Sequence, residues 1–220
     1  QHNLALNYPF PLNIVKADGP YLYDIDGNRY IDLLNGGGVT ILGNNYPPIR
    51  EAVIRTINET GYLTGLYNEY EKKLAEKICQ YYPSCQKFRM LGSGTEAVMV
   101  ALRLARAFTG KDKIVKLKGC YDGWSDHIVY DVRTVNTGSS FAVGIPADTL
   151  KNTSAVMIND IDALEQRFQE NEKDGGTAAL IIEPIGQDSG GVPVQLGYHQ
   201  KVRELCDKYG VLLIMDEVVT

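Results

Sequence analysis

The chain is poor in the residues that metal centres and disulfide scaffolds rely on. Three histidines in 220 residues, His2, His127 and His199, are too few and too scattered for a zinc cluster. The four cysteines, Cys79, Cys85, Cys120 and Cys206, lack metal-type pairing, so reduced thiols in the cytoplasm are the expectation. No apolar run approaches the roughly 18 residues of a membrane-spanning helix, so no membrane partner is expected. No secretory signal stands at Gln1, although a first residue other than Met is compatible with trimming. A basic excess is missing too. The net charge is −5 with both signs spread along the chain, which disfavours nucleic acid as a partner. Neither an internal repeat nor a low-complexity tract is visible.

What remains is a pattern of short apolar runs and amphipathic stretches. Tyr21 to Asp24 and Arg29 to Asp32 flank Asp26-Gly27, a hairpin signal. Gly36-Gly37-Gly38 then breaks regular structure. Pro48 opens a helix whose apolar face carries Ile49, Val53, Ile54 and Ile57, and Glu69 to Tyr81 forms a second amphipathic helix. From there strands and helices alternate. Strands are predicted at Phe88–Leu91, Ile114–Leu117, Ala155–Ile158, Ala178–Ile182 and Leu212–Met215. Helices are predicted at Thr95–Phe108, Ile161–Gln169 and Leu196–Tyr209. This alternation predicts an α/β fold, a mainly parallel sheet covered by helices. Residues 1–47 read as a β-rich N-terminal segment and residues 48–220 as a partial α/β domain. The run Val211 to Met215 reads as a strand buried on both faces, and the chain stops soon after it, in mid-architecture. A loop from about Lys118 to Thr153, roughly 35 residues, is longer than a plain connector needs. With Gly138-Ser139-Ser140 as flexible points, its part from about Asp126 to Asn152 is expected to cover a site as a lid, the alternative being a solvent-exposed insertion.

Four motifs fall at C-terminal strand ends, the rim where α/β proteins bind ligands. Gly92-Ser93-Gly94-Thr95-Glu96-Ala97 lies between a strand and a helix. Its glycines and free helix N–H groups suit a phosphate, though a capped strand-to-helix turn would look the same. It also fits the dinucleotide pattern G-x-G-x-x-A, but the next strand ends in Lys116-Leu117-Lys118 rather than in a ribose-binding acid. A nucleotide-dependent oxidoreductase is therefore disfavoured. Tyr121-Asp122-Gly123-Trp124 follows that same strand, and Trp124 reads as packing under the long loop. Glu183-Pro184 ends a third strand and leads into the polar loop Gly186-Gln187-Asp188-Ser189-Gly190-Gly191. Asp216-Glu217 ends the last, where a helix-cap or surface carboxylate is the alternative to a functional one. The strand Leu213 to Met215 with Asp216 resembles the magnesium-holding strand of P-loop ATPases, but no G-x-x-x-x-G-K-[ST] run accompanies it.

As an ordered set, Gly94-Thr95-Glu96-Ala97, Gly119-Cys120-Tyr121, Glu183-Pro184 and Asp216-Glu217-Val218 resemble the class III pyridoxal-phosphate aminotransferases of fold type I. The resemblance begins at Asp24-Ile25-Asp26-Gly27-Asn28-Arg29-Tyr30 and spans almost the whole chain. Ala105 to Ile114 and Gly144-Ile145-Pro146 are most similar to glutamate-1-semialdehyde 2,1-aminomutase-like members. The resemblance implies an α/β large domain binding pyridoxal phosphate and moving an amino group, as a transaminase or an aminomutase. It implies that Ser93, Gly94 and Thr95 hold the phosphate, Tyr121 stacks on the ring, and Val218 packs on its other face. Asp216 would pair with the protonated ring nitrogen, and Glu183 would support the site from behind. The substrate would be a small amino acid or amino-aldehyde, and the intact protein a homodimer with Gly36 to Gly38 and Gly61 to Asn68 near its interface. The Schiff-base lysine of such enzymes follows the Asp216 strand, and no lysine follows Asp216 here, so the 220-residue chain alone is expected to be inactive. A non-catalytic fragment or a partner-dependent subunit is the alternative. The chain departs from the family at Gly92, at Asp122 where His is frequent, at Gly37 and at Ile185 to Asp188.

Overall fold

A computed structural model describes residues 12–61, 66–132, 144–186 and 191–220. The chain forms two compact units, Gln1–Arg89 and Met90–Thr220. Among the described residues no helix is long and apolar enough to cross a membrane.

The first unit holds an antiparallel sheet, β1 (Ile14–Asp18), β2 (Tyr21–Asp24) and β3 (Arg29–Ile31), in the order β1-β2-β3. The hairpin read from Asp26-Gly27 is present, with Tyr21 opposite Ile31 and Tyr23 opposite Arg29. The sequence reading had no counterpart to β1. The Asp24 carboxylate ties the turn together. It accepts from Asn28 N at 2.8 Å, Asn28 Nδ2 at 2.9 Å, Tyr30 Oη at 2.7 Å and Asp26 N at 3.1 Å. These donors, Asn28 and Tyr30 first, hold its pKa below the ordinary carboxylate value. The stability it lends is therefore present above the unfolded value and lost as pH falls through the lower, folded one. Asp24→Ala should speed amide hydrogen exchange at Asn28 by at least about tenfold, because local protection follows the free energy of local opening. Unchanged exchange would show that the turn holds without the carboxylate.

The glycine run forms a single turn, α1 (Asn35–Gly38), in which Gly36 and Gly37 take left-handed φ of 63° and 80°. Two longer helices follow, α2 (Pro47–Thr60) and α3 (Glu69–Tyr81). Asn68 caps α3 by accepting from Glu71 N at 3.0 Å. The α2 face of Ile49, Val53, Ile54 and Ile57 is present, yet each of these side chains is more than half exposed.

In the second unit α4 (Gly94–Thr109) precedes β4 (Lys113–Leu117), and the short α5 (Ala147–Leu150) leads into β5 (Thr153–Val156). Then come α6 (Ile161–Glu172), β6 (Thr177–Ile182), α7 (Tyr198–Tyr209) and β7 (Leu212–Met215). The four strands are parallel, in the order β5-β4-β6-β7. Side chains alternate across β4 and β6. Val115, Leu117, Leu180 and Ile182 pack with Leu164, Phe168, Val202 and Cys206 of α6 and α7. Ile114, Ala179 and Ile181 pack on the opposite face with Val98, Leu102 and Ala105 of α4. From β4 the chain leaves toward β5, and from the adjacent β6 it leaves toward β7. The crevice beyond the C-terminal ends of β4 and β6 is thus a topological switch point, the preferred ligand position in such sheets.

Several expectations are corrected. Phe88 to Leu91 forms no strand, because none of the described strands lies alongside to complete a hydrogen-bond ladder. The strand expected at Ala155–Ile158 spans Thr153–Val156, and α7 begins at Tyr198, after a left-handed Gly197. Strand β7 is partly exposed rather than buried on both faces, since it ends the order of described strands and has one neighbour. Of the long loop, residues 133–143, with Gly138-Ser139-Ser140, lie outside the described residues, as do residues 62–65 and 187–190.

Candidate active site

Each sequence-predicted site residue with a described position stands at the start of α4 or at a C-terminal strand end of the second unit. Ser93 is the N-cap of α4. Its Oγ accepts from Glu96 N at 3.2 Å, the N-cap half of a capping box, and donates to Glu96 Oε2 at 3.2 Å. The Ser93 hydroxyl thus serves its own helix. The first-turn N–H groups of Gly94 and Thr95 have no carbonyl one turn back to bond within the helix, and they keep the anion-attracting character of a helix start.

Two close approaches and four hydrogen bonds join these elements into a ring. A Cβ on Gly94 would lie 3.0 Å from Val218 Cγ2, so the α4 start and the segment after β7 touch backbone to side chain. Gly123, at φ +99°, lies so near Thr95 that a Cβ would come within 3.0 Å of Thr95 Cα and 3.1 Å of Oγ1. Trp124 N donates to Thr95 Oγ1 at 3.2 Å, so the segment after β4 is seated on α4. Tyr121 N donates to Glu183 Oε1 at 2.8 Å, joining the β4 and β6 ends. Asp216 N donates to Ile182 O at 2.8 Å, continuing the β6–β7 ladder, and Val218 N donates to Asp216 Oδ1 at 3.1 Å. The circuit closes at Gly94. Tyr121 at 37% exposure and Val218 at 70% leave ring and methyl surface free for a ligand, while Glu183 and Asp216 are buried.

Sequence reasoning missed Lys116. It used this residue only to argue against a ribose site, yet the side chain is fully buried. Strand parity held the signal: residue 116 points to the same face as Ile114, toward α4. Lys116 Nζ lies 3.1 Å from Asp122 Oδ2, and both side chains are fully buried. The contact is an ion pair; no donor meets either Asp122 oxygen in hydrogen-bond geometry.

Burial pushes the Asp122 carboxyl up to about 6, Lys116 pulls it back, and Asp216 and Glu183 push it up further. Burial likewise raises Asp216, against the Val218 N–H and the Lys116 charge. Asp122 therefore binds its proton more tightly folded than unfolded. Its contribution to stability should rise as pH falls from above 6 toward the ordinary value of 3.8. Asp122→Asn should remove that rise from a plot of thermal midpoint against pH. An identical plot for the variant would show that Asp122 does not titrate in this window. The three carboxylates do not constitute a metal cluster: no group of three or more His, Cys, Asp or Glu among the described residues could hold a metal ion.

A sequence model of the family described as Aminotransferase class-III matches residues 4–220. The chain belongs to that family. Its fold is shared with an omega-transaminase from Sphaerobacter thermophilus, at 32% identity and a TM-score of 0.88, covering 100% of this chain and 51% of that one. A beta-phenylalanine aminotransferase from Variovorax paradoxus matches at 32% identity and 0.83, covering 100% and 48%. A glutamate-1-semialdehyde aminomutase from Pseudomonas aeruginosa matches at 28% identity and 0.80, covering 94% and 45%. The chain spans about half the length of these solved chains. Like other members of that family it has the α/β fold expected from its alternating strands and helices.

Proposed function

We propose that the full-length protein transfers amino groups with pyridoxal phosphate, as a transaminase or an aminomutase of small amino acids or amino-aldehydes. The observation that carries this reading is the closed ring of contacts from Gly94 through Thr95, Gly123, Tyr121, Glu183 and Asp216 to Val218. One matched structure is a transaminase with pyridoxal phosphate bound, and another is an aminomutase in complex with the pyridoxamine form. The residues fit such a group. Gly94 and Gly123 stand where any side chain would crowd Val218 and Thr95, so the backbone closes on the crevice and keeps its N–H groups accessible.

In this reading the N–H groups of Gly94 and Thr95, with the Thr95 hydroxyl, hold the phosphate, and Ser93 caps the helix that presents them. Tyr121 and Val218 hold the ring between them. Asp216 keeps a proton on the ring nitrogen, and Glu183 fixes the Tyr121 backbone from behind. The bound cofactor supplies an electron sink for negative charge developing on the substrate carbon. The lysine that such chemistry requires is proposed to come from sequence the chain does not span, since no lysine follows Asp216. Residues 48–220 would belong to the cofactor-binding domain. A homodimer, with Gly36 to Gly38 near its interface, and a cytoplasmic location consistent with four free cysteines complete the proposal.

The test is keto-acid release by the full-length protein from a panel of amino donors, with and without added pyridoxal phosphate. Release that depends on the cofactor is expected. A protein that binds the cofactor stoichiometrically and turns over none of the donors would favour the non-catalytic alternative.

A further inference from the structure

The reading above gives no task to Lys116 and Asp122. Lys116 commits its ammonium within the fold: Nζ donates to Cys120 O at 2.8 Å and to Ile128 O at 3.0 Å, beside Asp122 Oδ2 at 3.1 Å. Two of the three ammonium donors go to these backbone carbonyls, and the side chain is fully buried, so the group is committed to the fold rather than offered to a ligand. The Tyr130 ring centroid lies 5.9 Å from Nζ. The two carbonyls bracket the segment that carries Tyr121. One buried cation also stands among three buried carboxylates, Asp122, Glu183 and Asp216, which follow β4, β6 and β7. Asp122 interacts electrostatically with both Asp216 and Glu183, and Lys116 with Asp216, so these groups form one electrostatic unit.

We propose that Lys116 and Asp122 are positioning residues of the cofactor site. Lys116 clamps the Tyr121 segment onto the sheet. Asp122 cancels the Lys116 charge, which leaves Asp216 free to hold a cationic ring nitrogen. The inference rests on the pyridoxal-phosphate reading and goes beyond it, because neither residue belongs to the ring of contacts.

The two partners should fail differently. Without the Asp122 charge, the Lys116 ammonium stands uncompensated near Asp216 and competes with the ring cation for it. Without Lys116, the Cys120 and Ile128 carbonyls lose their donor, and Asp122 is left buried without a counter-charge and takes up a proton. Replacing both removes the two charges together, which costs far less than stranding one of them.

The experiment uses the full-length protein loaded with pyridoxamine phosphate labelled with nitrogen-15 in its ring. The ring-nitrogen resonance is followed against pH in wild type, Asp122→Asn, Lys116→Met and the double variant. Thermal unfolding of each apoprotein is measured in parallel. Asp122→Asn should lower the pH at which the ring loses its proton by about one unit, a tenfold change in that equilibrium. The double variant should return it close to wild type. Lys116→Met should leave the ring protonated but weaken cofactor affinity by about tenfold, through the loosened Tyr121 segment. If Lys116→Met does not fold, Asp122→Asn against the double variant still decides. Identical ring titration in Asp122→Asn and wild type, with only unfolding temperatures changed, would reduce the pair to a structural role and overturn the proposal. A wild-type protein that takes up no labelled cofactor would overturn the cofactor reading itself and this inference with it. The two failures are thus distinguishable.

Discussion

Replacing Asp216 by Asn should lower turnover of the full-length protein by at least about a hundredfold while leaving its unfolding temperature unchanged. The side chain is buried at the end of β7, and its Oδ1 accepts from Val218 N at 3.1 Å. An Asn amide oxygen can accept the same bond, and the Asp216 N–H to Ile182 O bond is independent of the side chain. The geometry is therefore preserved and only the charge is lost. Burial already raises the Asp216 carboxyl, so removing the charge carries no stability penalty of its own. What disappears, on the proposed reading, is the counter-charge for a protonated ring nitrogen. Stranding one partner of a buried ion pair costs about 3–5 kcal/mol, and each tenfold in rate is about 1.4 kcal/mol. Steady-state kinetics with saturating cofactor measures the loss. A rate within about twofold of wild type would make Asp216 a turn residue and nothing more.

Phe168→Ala should be among the most destabilising single substitutions in the second unit. Phe168 lies on α6, is fully buried, and packs with Val115, Leu117 and Leu180 of the central strands. Its ring meets Tyr209 of α7 edge-on, with centroids 5.7 Å apart at an angle of 62°. Truncation removes the apolar contact and opens a cavity between α6, α7 and the sheet, at a cost of about 3–5 kcal/mol. Loss of the aromatic pair accounts for about 0.5–1.5 kcal/mol within that cost. Urea unfolding monitored by circular dichroism checks this through the shift in midpoint. A loss below about 1 kcal/mol would mean that the helices close over the gap, which interdigitated packing resists.

Much of this structure was legible from local pattern. Helix α3 at Glu69–Tyr81, the Asp26-Gly27 hairpin and strand β7 at Leu212–Met215 lie where periodicity and turn chemistry put them. Their signals are local: a run of alternating or helically spaced apolar residues, and a capping or turn residue at its end. Phe88 to Leu91 shows the limit. It has the composition of a strand, yet a strand exists only where a neighbour completes its ladder.

The candidate site divides in the same way. The sequence by itself determined which motifs end which strands, and so which residues can reach one rim: Gly94-Thr95, Tyr121, Glu183 and Asp216. Only the tertiary structure decided that these residues close into a ring, because that depends on strand order and on approaches as tight as Gly94 to Val218 and Gly123 to Thr95. For Lys116 the sequence's strand parity marked the face, and the tertiary structure supplied the counter-charge that keeps it buried. Composition places a lysine at the surface, whereas strand parity and the fixed position of Asp122 place this one in the interior. The physical reason is that local propensity depends on near neighbours along the chain, while the protonation and burial of a charged group depend on charges brought together from β4, β6 and β7.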